Sequence, residues 1–197
     1  MVLVVGLTGN IACGKSAVGE ILKKKSIPVI DSDDIVHELY DKDHDVQEQI
    51  LQNFGTLNRQ EIAKKVFGTD IESQSNKKKL ESILHPAVHR KFEEWVKVNS
   101  DKPLIVNLVP LLFEANLESR YDYIVCVITD EKNQIERLKK RASFLPDDQI
   151  LARIRSQMPQ DKKVELSDYI IPNNANLEAL EQEVDKCFRQ ITSIKSI

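Results

Sequence analysis

An α/β fold built on a five-stranded parallel sheet follows from three observations on the sequence. Short β-rich runs alternate with helical patterns, the runs are continuously apolar, and a surplus of helix separates the second run from the third. Continuous apolar runs mark strands covered on both faces, as in a parallel sheet flanked by helices.

The first run, Val2 to Thr8, is nearly all apolar. Ile27 to Asp31 is the second, Leu104 to Val109 the third, and Tyr123 to Thr129 the fourth, while Asp168 to Ile171 precedes the last helix. Between them, Val18, Ile21 and Leu22 line one helix face. Ile135, Leu138 and Ala142 line another, opened by Asp130 as N-cap. A long final stripe, Leu177, Leu180, Val184, Cys187, Phe188 and Ile191, begins behind Asn176.

Residues 32–103 far exceed the roughly dozen residues a crossover needs. They read as helices over Ile35 to Tyr40, Val46 to Phe54, Ile62 to Phe67, Leu80 to Leu84 and Val88 to Val96. Asn58 and Glu61 have the spacing of a capping box, and Gly55 and Gly68 sit where helices stop. The surplus predicts a helical lobe, residues 35–99, inserted in a core made of residues 1–34 and 100–197.

Composition narrows the class. The chain has 197 residues, 41% apolar and 30% charged, enough for one core with a soluble surface. A formal net charge of −3 gives no basic field for nucleic acid. The lysine runs 23–25 and 77–79 read as solvated helix faces. The opening apolar run lacks the basic flank of a signal peptide. The stretch Leu104 to Phe113 is interrupted by Asn107 and Pro110 and is too short to span a bilayer. Three scattered cysteines without metal-ligand spacing fit a reducing, cytoplasmic compartment.

The strongest chemical signal is Gly9-Asn10-Ile11-Ala12-Cys13-Gly14-Lys15-Ser16, a glycine, four residues, then Gly-Lys-Ser. Glycines there let successive N–H groups point inward at phosphate oxygens, and the following helix adds its positive end. Lys15 can reach the β- and γ-phosphates, and Ser16 can ligate Mg²⁺. The motif lies between a buried strand and an amphipathic helix, the context that confirms it, so ATP and Mg²⁺ are the expected cofactors. The chain contains neither Asn-Lys-x-Asp for guanine nor the Asp-x-x-Gly of a GTPase switch. Its third strand runs into Pro110, Leu111 and Leu112 rather than the acidic residue of a motor ATPase. Acids instead follow the second strand, in Val29-Ile30-Asp31-Ser32-Asp33. Carboxyl ends of strands line one crevice in an open α/β sheet, so Asp33 is expected beside Ser16. A carboxylate there can take the proton of an attacking hydroxyl or order the water around magnesium, while Asp31 and Asp33 could equally cap a helix.

Whole-chain motifs add a resemblance. Gly-Leu-Thr-Gly at 6–9, Gly-Lys-Ser at 14–16, Val-Ile-Asp-Ser-Asp at 29–33 and Leu-His-Pro at 84–86 stand in the order of dephospho-coenzyme A kinases. Val-Pro-Leu-Leu-Phe-Glu at 109–114, Arg-x-x-x-Gln-Met-Pro at 153–159 and Asp-Tyr-Ile-Ile-x-Asn at 168–173 continue it. The resemblance implies a P-loop NTPase fold with an inserted substrate-binding lobe and a helical lid over about residues 137–160. It also implies transfer of the ATP γ-phosphate to the ribose 3′-hydroxyl of dephospho-CoA, the last step of coenzyme A synthesis. Asp33, Lys15 and Arg141 then look like the catalytic residues, and Arg137 stays open between the site and a helix surface. Residues Gly9 to Ala17 with Asn173 and Asn174 would bind the nucleotide. Thr8, Asp33, His85, Pro110 and Leu111 would line the acceptor site, with His85-Pro86 also readable as a helix boundary. The implied partner is a small molecule, with no nucleic acid or membrane, and the chain is expected as a monomer or weak homo-oligomer. Two rivals stand beside this reading: a nucleoside or nucleotide monophosphate kinase of similar architecture, and a catalytically idle ATP-binding regulator. Ala12 and Ala17 depart from the family's usual Gly and Ser/Thr, and Ala142 stands where Asp is common. Cys13, between the loop glycines, is expected to have a lowered pKa and to be the most easily alkylated of the three thiols.

Overall fold

The computed structural model describes residues 2–68, 70–142 and 145–193. Its five strands are β1 (Leu3–Thr8), β2 (Val29–Asp31), β3 (Leu104–Leu108), β4 (Tyr123–Ile128) and β5 (Tyr169–Pro172), and they form one sheet in the order β2-β3-β1-β4-β5. The ladders of β1 with β3, β1 with β4 and β4 with β5 are parallel, with Val5 opposite Val106 and Leu7 opposite Val125. The Val106 amide donates to the Pro28 carbonyl at 2.9 Å, just ahead of β2. The expected parallel five-stranded sheet is therefore present, with each boundary within two residues of the sequence reading.

The chain separates into two compact units, Met1–Ile30 with Asn99–Ile197, and Asp31–Val98. In the first unit, strand side chains pointing one way meet α1 (Lys15–Lys24) and α9 (Leu177–Ser193). Val5, Leu7, Val106, Val125 and Val127 pack there with Val18, Leu22, Val184, Phe188 and Ile191. The other direction is covered by Leu112, Phe113 and Ile124, joined by Tyr121 and Met158. Both faces are dry, which is why the strands read as unbroken apolar runs. Asn176 caps α9 by accepting the Ala179 amide at 3.0 Å. Asp130 precedes α6 (Glu131–Arg141) in extended geometry, but its side chain makes no cap bond. Two more helices, α7 (Asp147–Arg155) and α8 (Gln160–Glu165), complete this unit.

The second unit is all helix among the described residues: α2 (Ser32–Lys42), α3 (His44–Phe54), α4 (Arg59–Val66) and α5 (Ile71–Val98). Gly55 ends α3 in the left-handed region at φ 72°. Asn58 caps α4 by accepting from the Gln60 and Glu61 amides, while its own amide donates to Thr56 rather than to Glu61. Half of the expected capping box therefore forms.

Pro86 does not divide the two expected helices; α5 runs through it for 28 residues. A proline inside a helix loses one hydrogen bond and costs about 3 kcal/mol. That loss is outweighed because α5 buries Ile83 and Ala87 on either side of Pro86, with Phe92 beyond, and packs on α2, α3 and α4.

Leu22→Ala should test the central core. The leucine is fully buried, so the change should cost about 2–5 kcal/mol by urea denaturation, whereas Leu51→Ala, at half-exposed Leu51, should stay near 0.5 kcal/mol. Equal losses would overturn this account of the core.

Candidate functional site

The phosphate-loop motif forms a tight turn between β1 and α1. Its glycines are required by space as well as by dihedral angle. Gly9 has φ 143° and Gly14 φ 105°; a Cβ on Gly9 would run into the Val127 carbonyl oxygen, and one on Gly14 into the Asn173 amide nitrogen. Gly14 is the N-cap of α1 and offers no side-chain cap, and no acidic residue occupies the first turn. The positive end of α1 thus carries no acidic side chain of its own first turn, which favours an external anion there. Ser16 stands exposed in that turn, so its hydroxyl is accessible.

A loop that turns its amides inward must turn its carbonyls outward, and each buried carbonyl needs a donor. The Lys15 ammonium lies 2.7 Å from the Gly9 carbonyl and 3.2 Å from that of Asn10. Gln134 of α6 donates to the Ile11 carbonyl at 2.9 Å. Arg137, one turn further along α6, donates to the carbonyls of Ala12 and Cys13 at 3.2 and 3.1 Å, and to that of Asn173 at 2.8 Å. The Asn173 side-chain amide adds a bond of 2.7 Å to the Cys13 carbonyl. Every carbonyl from Gly9 to Cys13 is satisfied.

Further along, Thr129 donates to the Asn173 carbonyl and to Asn174 Oδ1, each at 2.8 Å. Asn174 is exposed beside it. These bonds join the ends of β4 and β5 behind the loop. Asn10 Oδ1 is buried without a hydrogen-bond partner, the single such side-chain atom among the described residues.

Within this unit the structure gathers Gly9 to Ala17 with Asn173 and Asn174. Thr8, fully buried at the end of β1, donates to the Pro110 carbonyl at 3.4 Å; Leu111 is half exposed just beyond. Arg141 is the last residue of α6 and is exposed. Arg137, left open by sequence, is the arginine that touches the loop. Asp33 and His85 belong to the helical unit, where both side chains are exposed. There Asp31 is the cap of α2, accepting the Asp33 amide at 2.9 Å, which leaves the Asp33 carboxylate at the surface. Gln157 is the glutamine of the Arg-x-x-x-Gln-Met-Pro motif, to which the sequence assigned no role, and Gln134 and Lys163 were not singled out. Each lies in a polar stretch, and only the fold shows which faces inward.

Ala12 holds φ 61°, in the region that favours glycine. Its methyl is buried against Leu138 and Ile150, so packing offsets the strain that glycine would avoid.

The lowered pKa expected for Cys13 is corrected. Its thiol is buried, and burial pushes its pKa up, above the usual 9.0; the nearby Lys15 and Arg137 charges pull the other way and lose. Burial also pushes Cys126 and Cys187 up to about 12. All three thiols should therefore react with iodoacetamide at neutral pH about a hundredfold more slowly than in urea, read by peptide mass spectrometry. Labelling of Cys13 at the rate of an exposed thiol would contradict its enclosure.

The family model for dephospho-CoA kinase matches residues 3–179. A dephospho-CoA kinase of Oceanobacillus iheyensis is 37% identical over 196 residues, covering 96% of this chain and 98% of that protein. One of Aquifex aeolicus is 31% identical, covering 95% and 97%. A solved structure from Thermus thermophilus superposes with a TM-score of 0.82 at 30% identity, covering 96% and 97%. A shikimate kinase of Acinetobacter baumannii, at TM-score 0.55 and 18% identity, covers 99% and 96% and shares the fold alone.

Proposed function

The chain belongs to the dephospho-CoA kinase family, and from that premise we propose how its residues move the ATP γ-phosphate onto the ribose 3′-hydroxyl of 3′-dephospho-CoA. It is an ATP-dependent kinase acting on a small molecule. The observation that carries the reading is the family match over residues 3–179, joined to a glycine cradle that any Cβ would fill.

Residues Gly9 to Ala17 cradle the phosphates, with the start of α1 adding its positive end, while the Ile11 and Cys13 amides are held by Gln157 and the Asn10 carbonyl. Lys15 leaves its two loop carbonyls in part and follows the charge that develops on the transferring group. Ser16 would hold a magnesium ion, which would supply charge neutralisation to the phosphates. The exposed Ser16 hydroxyl and the acid-free first turn of α1 fit such an ion with its phosphate partners. Asp33 receives the hydroxyl proton, a role open to it because Asp31 has taken the cap. Arg141, exposed at the end of α6, stabilises spread phosphoryl charge when the lid, about residues 137–160, closes. Asn173 and Asn174 are assigned to adenine, and Thr8, Pro110 and Leu111 to dephospho-CoA; the lobe 35–99 is assigned to the same acceptor through His85. The enzyme works in the cytoplasm as a monomer or weak homo-oligomer without nucleic-acid or membrane partners. No helix among the described residues is long and apolar enough to cross a membrane.

A coupled ADP-release assay tests the assignment. Dephospho-CoA should be turned over far better than AMP, CMP, dTMP or adenosine, and equal turnover of a nucleoside monophosphate would reassign the acceptor.

Asp33→Asn separates binding from chemistry. ATP affinity by calorimetry should be kept while turnover falls about 10²- to 10⁴-fold, nearer the low end because phosphoryl transfer has a loose transition state. Loss of ATP–Mg²⁺ binding in that variant would make Asp33 a metal organiser instead.

A further inference from the structure

A second set of bonds holds the opposite end of the phosphate loop, and it centres on Lys163 in α8. This side chain is fully enclosed. Its ammonium lies 2.9 Å from the Pro110 carbonyl and 2.9 Å from the Glu114 carboxylate. A lysine is almost never enclosed unless it is paired, and such a pair is weak evidence for stability as such. Its position is therefore informative.

From Lys163 the bonds lead back to the loop by two routes. The Pro110 carbonyl also accepts from the Thr8 hydroxyl at 3.4 Å, one residue before Gly9. The Glu114 carboxylate also accepts the Met158 amide at 3.0 Å, and the Met158 carbonyl takes the Asn10 side-chain amide at 3.1 Å. Gln157, next in the chain, accepts the Ile11 amide at 2.6 Å. The circuit Thr8–Pro110–Lys163–Glu114–Met158–Asn10 thus closes on itself two residues from where it starts. Lys163 is the sole cation in it. The Glu114 carboxyl is held below its ordinary range: burial alone would raise it, but the bonds from Lys163 and Met158 outweigh that.

We propose that Lys163 is a positioning residue for phosphoryl transfer, fixing the Pro110–Glu114 turn against residues Thr8 to Ile11. The proposal rests on the dephospho-CoA kinase reading. It predicts a division of labour within one loop. The carbonyls of residues 11–13, on the side leading to the phosphate-facing amides, are held by Gln134, Arg137 and Asn173. Those bonds do not involve Lys163. Loss of the circuit should therefore spare ATP binding and impair the alignment of acceptor and loop.

The test uses Lys163→Met and the double variant Lys163→Met/Glu114→Gln in the full-length protein. The single variant strands a carboxylate and is expected to be destabilised. The double variant removes both charges, and its melting temperature should return to within a few degrees of the parent. Its ATP dissociation constant should stay within about threefold, while turnover with dephospho-CoA falls about 10- to 100-fold, as for a misalignment on the ångström scale. A double variant that recovers parental turnover along with stability would reduce Lys163 to a folding role and overturn the proposal. So would a double variant without a cooperative melt, or one whose loss lies wholly in ATP affinity. The parent measured alongside keeps the two readings apart: a parent that does not phosphorylate dephospho-CoA refutes the family activity, whatever the variants do.

Discussion

Inward-pointing amides force outward-pointing carbonyls, and the rest of the nucleotide unit is arranged to satisfy that constraint. Of the five consecutive carbonyls from Gly9 to Cys13, that of Asn10 accepts the Cys13 amide within the loop, and the other four depend on side-chain donors. An unsatisfied buried polar group costs about 1–3 kcal/mol, so even two would consume a large part of a domain's net stability. The donors come from Lys15 within the motif, from Gln134 and Arg137 one turn apart on α6, and from Asn173 at the end of β5. The strand order brings these together, because β1 pairs with β4 and β4 with β5. The ends of β4 and β5 then lie behind the loop, and the helix that leaves β4 passes over it. Sheet topology and loop chemistry are thus one requirement seen at two scales.

That requirement also sorts what could be read from the sequence. Strands were legible because burial on both faces removes polar alternation, and the loop was legible because its glycines and lysine cannot be replaced without steric or electrostatic loss. Helix ends with local signals, Gly55, Asn58 and Asn176, were equally plain. The braces were not. Arg137 and Arg141 sit four residues apart on one helix with the same chemistry, and only tertiary structure decides that Arg137 faces the loop. Lys163 was harder still: in Gln160–Glu165 it neighbours Lys162, which forms an ordinary exposed ion pair with Glu165. The two lysines differ in direction rather than composition. Pro86 misled for the opposite reason. Its local signal was real, but packing around it was worth more than one hydrogen bond.

Cys13 shows which effect wins when local electrostatics and burial disagree. A helix N-terminus and a lysine both favour a thiolate, by about 0.3–1 kcal/mol for the helix end. Placing a charge in an enclosed site costs more, and burial is the largest influence on this thiol. The sulfur instead lies 3.7 Å from Gln134 and 3.7 Å from Gln160, as a weakly polar filler between side chains that hold the backbone.

The choice of cations as braces has a physical rationale. A neutral amide has two N–H donors and an oxygen that itself needs a partner, whereas a guanidinium or ammonium has only donors. Arg137 therefore meets three carbonyls from one side chain, and Lys163 serves a carbonyl and a carboxylate on the same turn. The drawback is a desolvated charge. For Lys163 it is offset by Glu114, and that carboxylate is in turn tied to Met158. Arg137 is only partly buried, so its guanidinium stays partly solvated while it donates to three carbonyls, and its charge needs less offset than the fully enclosed ammonium of Lys163.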